Sequence, residues 1–192
     1  SADITPVIIL NKCDLTESLP RARALLSDMN ALGVRIIETS TLQPQALRDS
    51  LLPLLTGKTS LLLGQSGMGK SSILNILVPD ARADTQEHSI ALGTGKHTTT
   101  SSRLYHLPDM GGDLIDSPGF QAFGLKHLAQ TEVEQGFPEF APYSQNCRFY
   151  NCTHRHEPGC GVLAAKDQGL ISARRHELYL RILAESTAPQ KY

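Results

Sequence analysis

The stretch LLLGQSGMGKSS, residues 61–72, is an apolar run that breaks into glycines and ends in Gly-Lys-Ser. It fits the pattern G-x-x-x-x-G-K-S/T in full, through Gly64, Gly69, Lys70 and Ser71. Glycines are needed there because backbone N–H groups must wrap a phosphate chain, and side chains would block the approach. A strand is predicted before the stretch and a helix after it, which distinguishes a phosphate-binding loop from a chance glycine turn. The stretch therefore predicts an α/β fold that binds a nucleoside triphosphate.

The positions of this loop have different chemical tasks. Lys70 supplies a point charge for the β and γ phosphates, Ser71 can coordinate Mg²⁺, and the following helix directs its positive end at the anion. We expect the nucleotide to contact the whole loop: Gly64, Gln65, Ser66, Gly67, Met68, Gly69, Lys70, Ser71 and Ser72. The loop alone does not choose between ATP and GTP, since both carry the same polyphosphate.

Upstream of the loop, strand-like and helix-like segments alternate. The apolar, β-branched run at 5–10 predicts a strand buried on both faces, and apolar residues at helical spacing then predict a helix that stops at Gly33. Further strands and helices are predicted, in alternation, at 34–40, 44–52, 59–64 and 70–78. This order predicts a parallel sheet with helices on both faces.

Downstream of the loop the pattern changes. Residues 79–102 are polar and rich in Thr, Gly and His, without sustained periodicity. A segment of that length without structure in a compact domain is usually functional or mobile. RLYHL (103–107) and GDLID (112–116) predict two short strands joined by a turn. A final helix is predicted at about 168–185.

The composition limits the classes of partner. Hydrophobic residues make up 40% and charged residues 19%, as in globular rather than disordered chains. The net charge of −1 gives no bulk attraction for nucleic acid, and no apolar run approaches the about 20 residues of a membrane span. The 192 residues allow one ordinary domain and a small one, which we place at 1–125 and 126–192.

The tetrapeptide NKCD, which begins at Asn11, indicates the base. It follows the first predicted strand, at the carboxyl edge of the sheet where ligands bind in such folds. Asp14 can accept hydrogen bonds from the N1–H and the amine of guanine, whereas adenine has neither donor at those positions. The stem of Lys12 can lie on the base plane. The tripeptide ETS ends the second strand, and we expect its Ser40 to touch the base edge through backbone N–H groups.

Two further segments fit the Mg²⁺ side of a nucleotide site. DSPG follows a strand, so Asp116 can hold a Mg²⁺-bound water and the Gly119 N–H can meet the γ-phosphate. One threonine of GKHTTT (95–100) can complete the Mg²⁺ shell. We favour Thr99, and the spacing does not exclude its neighbours on either side.

The catalytic water needs a positioning group. Ras-like proteins often place a glutamine directly after this glycine, but Phe120 stands here and cannot orient a water. His97 is the local candidate because a neutral imidazole can accept a proton near pH 7. An exposed loop histidine without a role is the competing interpretation. The predicted catalytic residues are therefore His97, Lys70 and Thr99.

In this order, the segments NKCDL, GQSGMGKSS, GKHTTT and DSPGF and a downstream cysteine cluster resemble the RsgA/YjeQ family of ribosome small-subunit-dependent GTPases. N-K-x-D precedes the phosphate loop by about fifty residues, the reverse of the usual Ras-like order. The resemblance implies a circularly permuted Ras-like P-loop GTPase domain followed by a small helical zinc-binding domain. It also implies hydrolysis of GTP to GDP that the small (30S) ribosomal subunit stimulates during maturation, contact with 16S rRNA, a cytoplasmic location and a monomer.

Part of that family's pattern is missing from this sequence. The family carries an OB-fold domain before its GTPase domain, and nothing here corresponds to it. A Ras-like sheet also needs a strand and a helix between DSPG and N-K-x-D, and in the permuted order these precede residue 1. That strand lies between the phosphate-loop strand and the N-K-x-D strand. We therefore expect a fragment of a longer protein, with a gap in its sheet.

The stretch CRFYNCTHRHEPGC, residues 147–160, has the spacing C-x₄-C-x-H-x₅-C. Three thiolates and one imidazole make a closed tetrahedral Zn²⁺ site of the structural type, and free thiols are the alternative. Spacing alone allows His154 or His156, and the family's motif matches His154. The predicted ligands of one zinc ion are Cys147, Cys152, His154 and Cys160. Few apolar residues surround them, so we expect the metal to supply much of the stability.

Basic and aromatic residues of this second domain suit RNA contact. They are Arg148, Arg155, Arg174, Arg175 and Arg181, with Phe149 and Tyr150. Ion pairs within the last helix are the competing interpretation for its arginines, with a packing stripe formed by Ile171, Leu178 and Ile182. The alternative function is a nucleotide-dependent zinc scaffold that binds a protein partner, with hydrolysis incidental.

Overall fold

The computed structural model describes residues 4–65, 67–79, 81, 102–107, 111–117 and 128–187. The chain divides into two compact units, Ser1–Ala122 and Phe123–Tyr192. In the first unit the described elements are β1 Val7–Leu10, α1 Leu19–Ala31, β2 Arg35–Glu38, α2 Pro44–Leu55, β3 Thr59–Leu62, α3 Lys70–Leu77, β4 Arg103–Leu107 and β5 Gly112–Asp116. Within the described part of the chain, no helix is both long and apolar enough to cross a bilayer.

The described strands form two sheets. β1 and β2 run parallel, with Val7 opposite Arg35 and Leu10 opposite Glu38. β3 and β5 also run parallel, and β4 joins β5 antiparallel, so the second sheet has the order β3-β5-β4. Because parallel strands end at the same edge, the residues that follow β1 and β2 meet, and so do those that follow β3 and β5.

The core of this unit lies on one face of the three-stranded sheet. Its buried side chains come from α2, α3 and the strands: Leu47, Leu51, Ile73, Leu74, Leu77, Val78, Ala81, Tyr105, Leu107 and Leu114. Gly112 permits the close approach of α2, since a Cβ at this position would lie 2.5 Å from the Leu55 carbonyl oxygen. α2 and α3 are therefore fixed on this face, and α3 carries the phosphate loop at its start.

β1 is less buried than its sequence predicts. Val7 is 37% exposed and the other three residues are only half-buried, while α1 has no buried side chain. Among the described residues, β1 pairs with a strand on one edge only. Its apolar sequence is typical of a central, fully buried strand, but the strand is therefore only half-buried. Leu61 and Leu104 are likewise exposed on the sheet face opposite α2 and α3. Helices on both faces were expected, and the described residues cover this sheet on one face.

The second unit is helical. Its elements are α4 Gln130–Gln135, a 3₁₀ turn Pro138–Phe140, α5 Ala141–Ser144, α6 Gly161–Asp167 and α7 Ala173–Ser186. Few apolar neighbours were expected around the cysteines of the 147–160 stretch, but two of these cysteines belong to a hydrophobic core. Its buried members are Val133, Phe137, Phe140, Cys152, Cys160, Val162, Ala165, Ile171, Tyr179 and Leu183.

The last helix differs from its prediction in two ways. It begins at Ala173 rather than at about 168, because Gly169 adopts a left-handed backbone (φ 74°) and the Ser172 hydroxyl caps the new helix by accepting from Arg175 N. Its packing stripe consists of Arg175, His176, Tyr179, Leu183 and Ser186. Of the stripe that was predicted, Leu178 is exposed and Ile171 precedes the helix.

Candidate functional site

Two residues of N-K-x-D contact the phosphate loop directly. Asn11 Nδ2 donates to the Met68 carbonyl oxygen at 2.9 Å, and Lys12 Nζ donates to the Gly67 carbonyl oxygen at 2.9 Å. These partners lie 57 and 55 positions apart in the sequence. The fold therefore brings together the two motifs that the sequence predicts for one nucleotide.

The backbone of both segments is adapted to this approach. Lys12 adopts a left-handed conformation (φ 65°), which is uncommon for a residue other than glycine. Gly69 has φ 95°, and a Cβ at this position would lie 2.3 Å from Asn11 Nδ2. A side chain at position 69 would thus displace Asn11 from the loop.

Asp14 lies beside the end of β2. The Ser40 hydroxyl donates to the Asp14 carboxylate and accepts from Leu42 N at 3.2 Å. Cys13 N donates to the Thr39 carbonyl oxygen at 3.0 Å, which fixes the two strand ends to one another. Ser40 was predicted to act through its backbone, and here its side chain orients the carboxylate of Asp14.

The phosphate loop folds around the Lys70 ammonium. Lys70 Nζ donates to the carbonyl oxygens of Gly64 at 2.6 Å and of Gln65 at 3.3 Å. Ile73 N donates to the Gly69 carbonyl oxygen at 2.9 Å, so α3 starts at the end of the loop. The remaining described loop positions are exposed: Gln65, Gly67, Met68, Ser71 and Ser72. The loop thus presents its backbone and its Ser71 hydroxyl to solvent, as an anion site requires.

Asp116 ends β5 next to the strand that leads into the loop. It pairs in register with Leu62, and its neighbour Ser117 donates to the Leu62 carbonyl oxygen at 3.2 Å. Partial burial raises the pKa of Asp116 above its ordinary value. The positive charges of Lys70 and Arg103 lower this pKa, but their effect is smaller than that of burial. Asp116 Oδ1 is buried without a hydrogen-bond partner among the described residues. An orphaned carboxylate oxygen fits a Mg²⁺-bound water, so the residues present suit a Mg²⁺–nucleotide complex.

Several predicted positions lie outside the described residues. They are Ser66, His97, Thr98, Thr99, Thr100, Gly119 and Phe120.

The cysteine cluster is assembled. One ligand atom from each of Cys147, Cys152, His154 and Cys160 lies within 4.8 Å of the others. His154 Nδ1 is 3.6 Å from Cys147 Sγ and 3.4 Å from Cys160 Sγ, and these two sulfurs are 3.9 Å apart. His156 is exposed and is not part of the group. These four side chains can hold a metal ion. Of the two histidines that the spacing allows, the structure places His154 beside the cysteines.

Burial makes the thiols poor acids without a cation. It raises the pKa of Cys152 to about 12, and it also raises the pKa of Cys160. Backbone N–H groups of Gly161 and Leu163 donate to Cys147 Sγ at 3.3 Å and to Cys160 Sγ at 3.4 Å. Soft sulfur ligands with N–H support are typical of a thiolate–metal site, where the positive charge of the ion stabilises thiolates that burial has removed from water.

Residues that the sequence did not single out hold the loop of His154. The Glu157 carboxylate accepts from the backbone N–H groups of Thr153, Arg155 and His156 and from the Thr153 hydroxyl. Burial opposes its ionisation, but these hydrogen bonds outweigh that effect and lower the pKa of Glu157 to about 2. The only sequence signal was an acidic residue three positions after the ligand histidine.

Comparison with known proteins decides the family. The RsgA GTPase family model matches residues 1–126. The chain belongs to the RsgA GTPase family. The relative named small ribosomal subunit biogenesis GTPase RsgA in Bordetella pertussis is 62% identical over 192 residues, 100% of this chain. The relative of the same name in Paraburkholderia xenovorans is 52% identical over 189 residues, 96% of this chain. The chain spans 64% and 60% of the lengths of these two RsgA relatives.

Two solved structures resemble nearly the whole chain. The crystal structure of YjeQ from Thermotoga maritima has a TM-score of 0.76 and 31% identity, covering 98% of this chain and 62% of that one. The crystal structure of YloQ, described as a circularly permuted GTPase, has a TM-score of 0.73 and 26% identity, covering 98% of this chain and 60% of that one. The predicted resemblance and the mixed α/β fold of a circularly permuted GTPase are confirmed.

Proposed function

We propose that this chain forms the nucleotide-binding and metal-binding parts of an enzyme that hydrolyses GTP to GDP and phosphate during biogenesis of the small ribosomal subunit. The contact of Asn11 and Lys12 with the phosphate loop carries this proposal. Two motifs that converge from distant parts of the sequence allow one nucleotide to reach both. The names of the RsgA relatives support the ribosomal role.

Asp14 selects guanine in this proposal. Its carboxylate accepts from the N1–H and the amine of the base, and the Ser40 hydroxyl holds it in place for that purpose. Bound ATP would leave the carboxylate facing a base without matching donors, which costs binding energy. The Lys12 ammonium is bound to the Gly67 carbonyl oxygen of the phosphate loop. The aliphatic part of the Lys12 side chain therefore extends from N-K-x-D, where the base would bind, to the loop that would bind the phosphates.

Lys70, Ser71 and Asp116 serve the phosphates. Lys70 supplies positive charge to the β and γ phosphates, while the Ser71 hydroxyl and the Asp116 carboxylate hold Mg²⁺ and its water. When bound, Mg²⁺ neutralises charge that develops on the phosphate oxygens. Thr99, or a neighbouring threonine, completes this shell, the Gly119 N–H meets the γ-phosphate and His97 positions the attacking water. These three roles remain predictions from the sequence.

The metal of the second unit is one structural Zn²⁺ ion. Three cysteines and one histidine form the closed donor set that Zn²⁺ prefers, and the buried Cys152 and Cys160 leave little access for a substrate. The zinc-binding domain in this proposal comprises residues 126–192 and the GTPase domain residues 1–125.

The RNA-binding surface is an exposed patch beside the first metal ligand. Tyr150 is fully exposed, Phe149 is 41% exposed, and the Arg148 guanidinium lies 5.5 Å from the centre of the Phe149 ring. Such stacked aromatic and guanidinium groups suit unpaired bases and phosphates of 16S rRNA. Arg175 was among the residues predicted to contact RNA. It is not part of this surface, because it is buried against Phe137 and paired with Glu139. A cytoplasmic monomer fits this role.

The test compares GTP hydrolysis by the full-length protein with and without 30S subunits, at low and high salt, with 50S subunits as the control. We expect stimulation by 30S subunits only and weaker binding at high salt. Tyr150→Ala should weaken 30S binding about tenfold and leave GTP affinity unchanged. Absence of both stimulation and salt-dependent binding would refute the ribosomal role and favour the zinc scaffold.

A further inference from the structure

The His154 imidazole contacts different partners through its two nitrogens. Nδ1 faces the sulfurs of Cys147 and Cys160 at 3.6 and 3.4 Å. Nε2 faces the opposite way and lies 3.3 Å from Oε1 of Glu134, a residue of α4. The His154 side chain is 3% exposed and that of Glu134 is 28% exposed, so solvent contributes little to this pair.

A neutral imidazole carries its proton on one nitrogen only, and a metal binds the other. A carboxylate next to Nε2 favours the tautomer with the proton on Nε2, because that N–H then has an acceptor. Nδ1 is left with its lone pair directed at the sulfurs of Cys147 and Cys160. We propose that Glu134 is a positioning residue for the metal site, which fixes the tautomer and the ring orientation of His154 so that Nδ1 is the ligand atom.

Other contacts fix the backbone of His154 but leave the ring to Glu134. His176 Nε2 lies 2.7 Å from the His154 carbonyl oxygen, and the Tyr179 hydroxyl donates to the Thr153 carbonyl oxygen at 3.0 Å. The Phe140 ring stands edge-on to the imidazole, with centroids 6.1 Å apart. Phe140 restricts the tilt of the ring, and it offers no acceptor that selects a tautomer. Among the described contacts, Glu134 alone acts on Nε2.

The proposal rests on the zinc site of the proposed function, and its test measures zinc rather than GTP hydrolysis. Glu134→Ala removes the acceptor. Glu134→Gln keeps the size of the side chain and one oxygen that can accept a hydrogen bond, but it removes the negative charge. Glu132→Gln is the matched control on the same helix, since the Glu132 carboxylate accepts from Ala129 N and does not contact the metal ligands. The rate of zinc release to a chromogenic chelator is measured for each zinc-loaded full-length protein.

We expect Glu134→Ala to release zinc about 10- to 100-fold faster than the unaltered protein, and Glu134→Gln to lie between the two. Glu132→Gln should release zinc at the unaltered rate. A second readout is the ring ¹⁵N spectrum of His154 in the zinc-loaded protein. It should place the metal on Nδ1 and the proton on Nε2, and the Nε2 signal should shift in Glu134→Gln. Far-UV circular dichroism should show that this variant is folded.

Each contrary result has a distinct meaning. Equal release rates for Glu134→Ala and the unaltered protein would overturn the role of Glu134, and so would zinc bound at Nε2. An unaltered protein that binds no zinc at all would overturn the metal site itself, and the role of Glu134 with it.

Discussion

The candidate nucleotide site and the candidate metal site are built in opposite ways. The nucleotide site joins segments more than fifty positions apart, and it leaves buried oxygens of Asn11 and Asp116 without described partners. The metal site draws its four ligands from fourteen consecutive residues, 147–160, and the groups of its loop are partnered. A site with unsatisfied groups suits a ligand that exchanges, and a closed site suits an ion that stays.

Burial follows the same contrast. The helix next to the N-K-x-D strand, α1, buries no side chain, whereas α7 beside the metal loop buries five. The second unit therefore combines an aromatic core with a metal site, and the half-buried β1–α1 region has neither. The following four predictions test this contrast, from the largest expected effect to the smallest.

Removal of one thiol should cause the largest loss. Cys152→Ala leaves three ligands, so zinc content should fall from one ion per chain to nearly none. The second unit should lose about 4 kcal/mol or more of stability, because metal binding contributes to folding directly. Elemental analysis and thermal unfolding measure both effects. Cys13→Ala is the control, since Cys13 lies in the other unit, and loss of zinc in that variant would contradict the assignment.

Lys70→Ala should abolish most of the phosphate affinity. The ammonium is held among loop carbonyls where it can meet a polyphosphate, and removal of a charge-assisted partner should weaken GTP binding about 100-fold or more. Titration with a fluorescent GTP analogue provides the dissociation constant. Lys58→Ala, an exposed lysine before β3, should bind as the unaltered protein does. Equal affinities for the two variants would argue against the phosphate role of Lys70.

Asp14→Asn should change the base preference. The amide places an N–H donor where the carboxylate accepted, which matches the C2 carbonyl of xanthine instead of the amine of guanine. GTP should bind about 100-fold more weakly and XTP correspondingly more tightly. The Ser40 hydroxyl can still donate to the amide oxygen, so the fold is retained. A variant that loses GTP without gaining XTP would show that Asp14 does not contact the base.

Asp116→Asn should slightly raise the stability of the nucleotide-free protein, whereas Cys152→Ala should lower stability. Burial raises the pKa of Asp116, so the folded state destabilises the charged form at pH 7, and stability rises as the pH falls through that raised pKa. The neutral amide removes the cost at pH 7, so the nucleotide-free Tm should rise by about 1–3 °C and the advantage should fade at lower pH. Mg²⁺ should no longer strengthen GTP binding. A lower Tm at pH 7 would contradict this account.

The sequence predicted the described strands and the helices α1, α2, α3 and α7 because their signals are local, whereas the short helices α4, α5 and α6 were not predicted. Periodic apolar residues, Gly33 and the loop glycines act within a few positions, and the strands β4 and β5 match their predicted bounds. Contacts between distant side chains were missed. The residues near Arg175 in the sequence did not predict that it packs on Phe137. The spacing of the residues also did not predict the contacts of Glu134 and His176 with His154.

The sequence by itself determined the family, and it predicted the phosphate loop, the guanine preference of N-K-x-D and the cysteine cluster, since each is a contiguous pattern whose chemistry follows from residue type. Only the tertiary structure decided that Ser40 holds Asp14 by its side chain and that Arg175 is buried. Those outcomes depend on which elements pack together, and packing is set by burial over the whole chain rather than by any one segment.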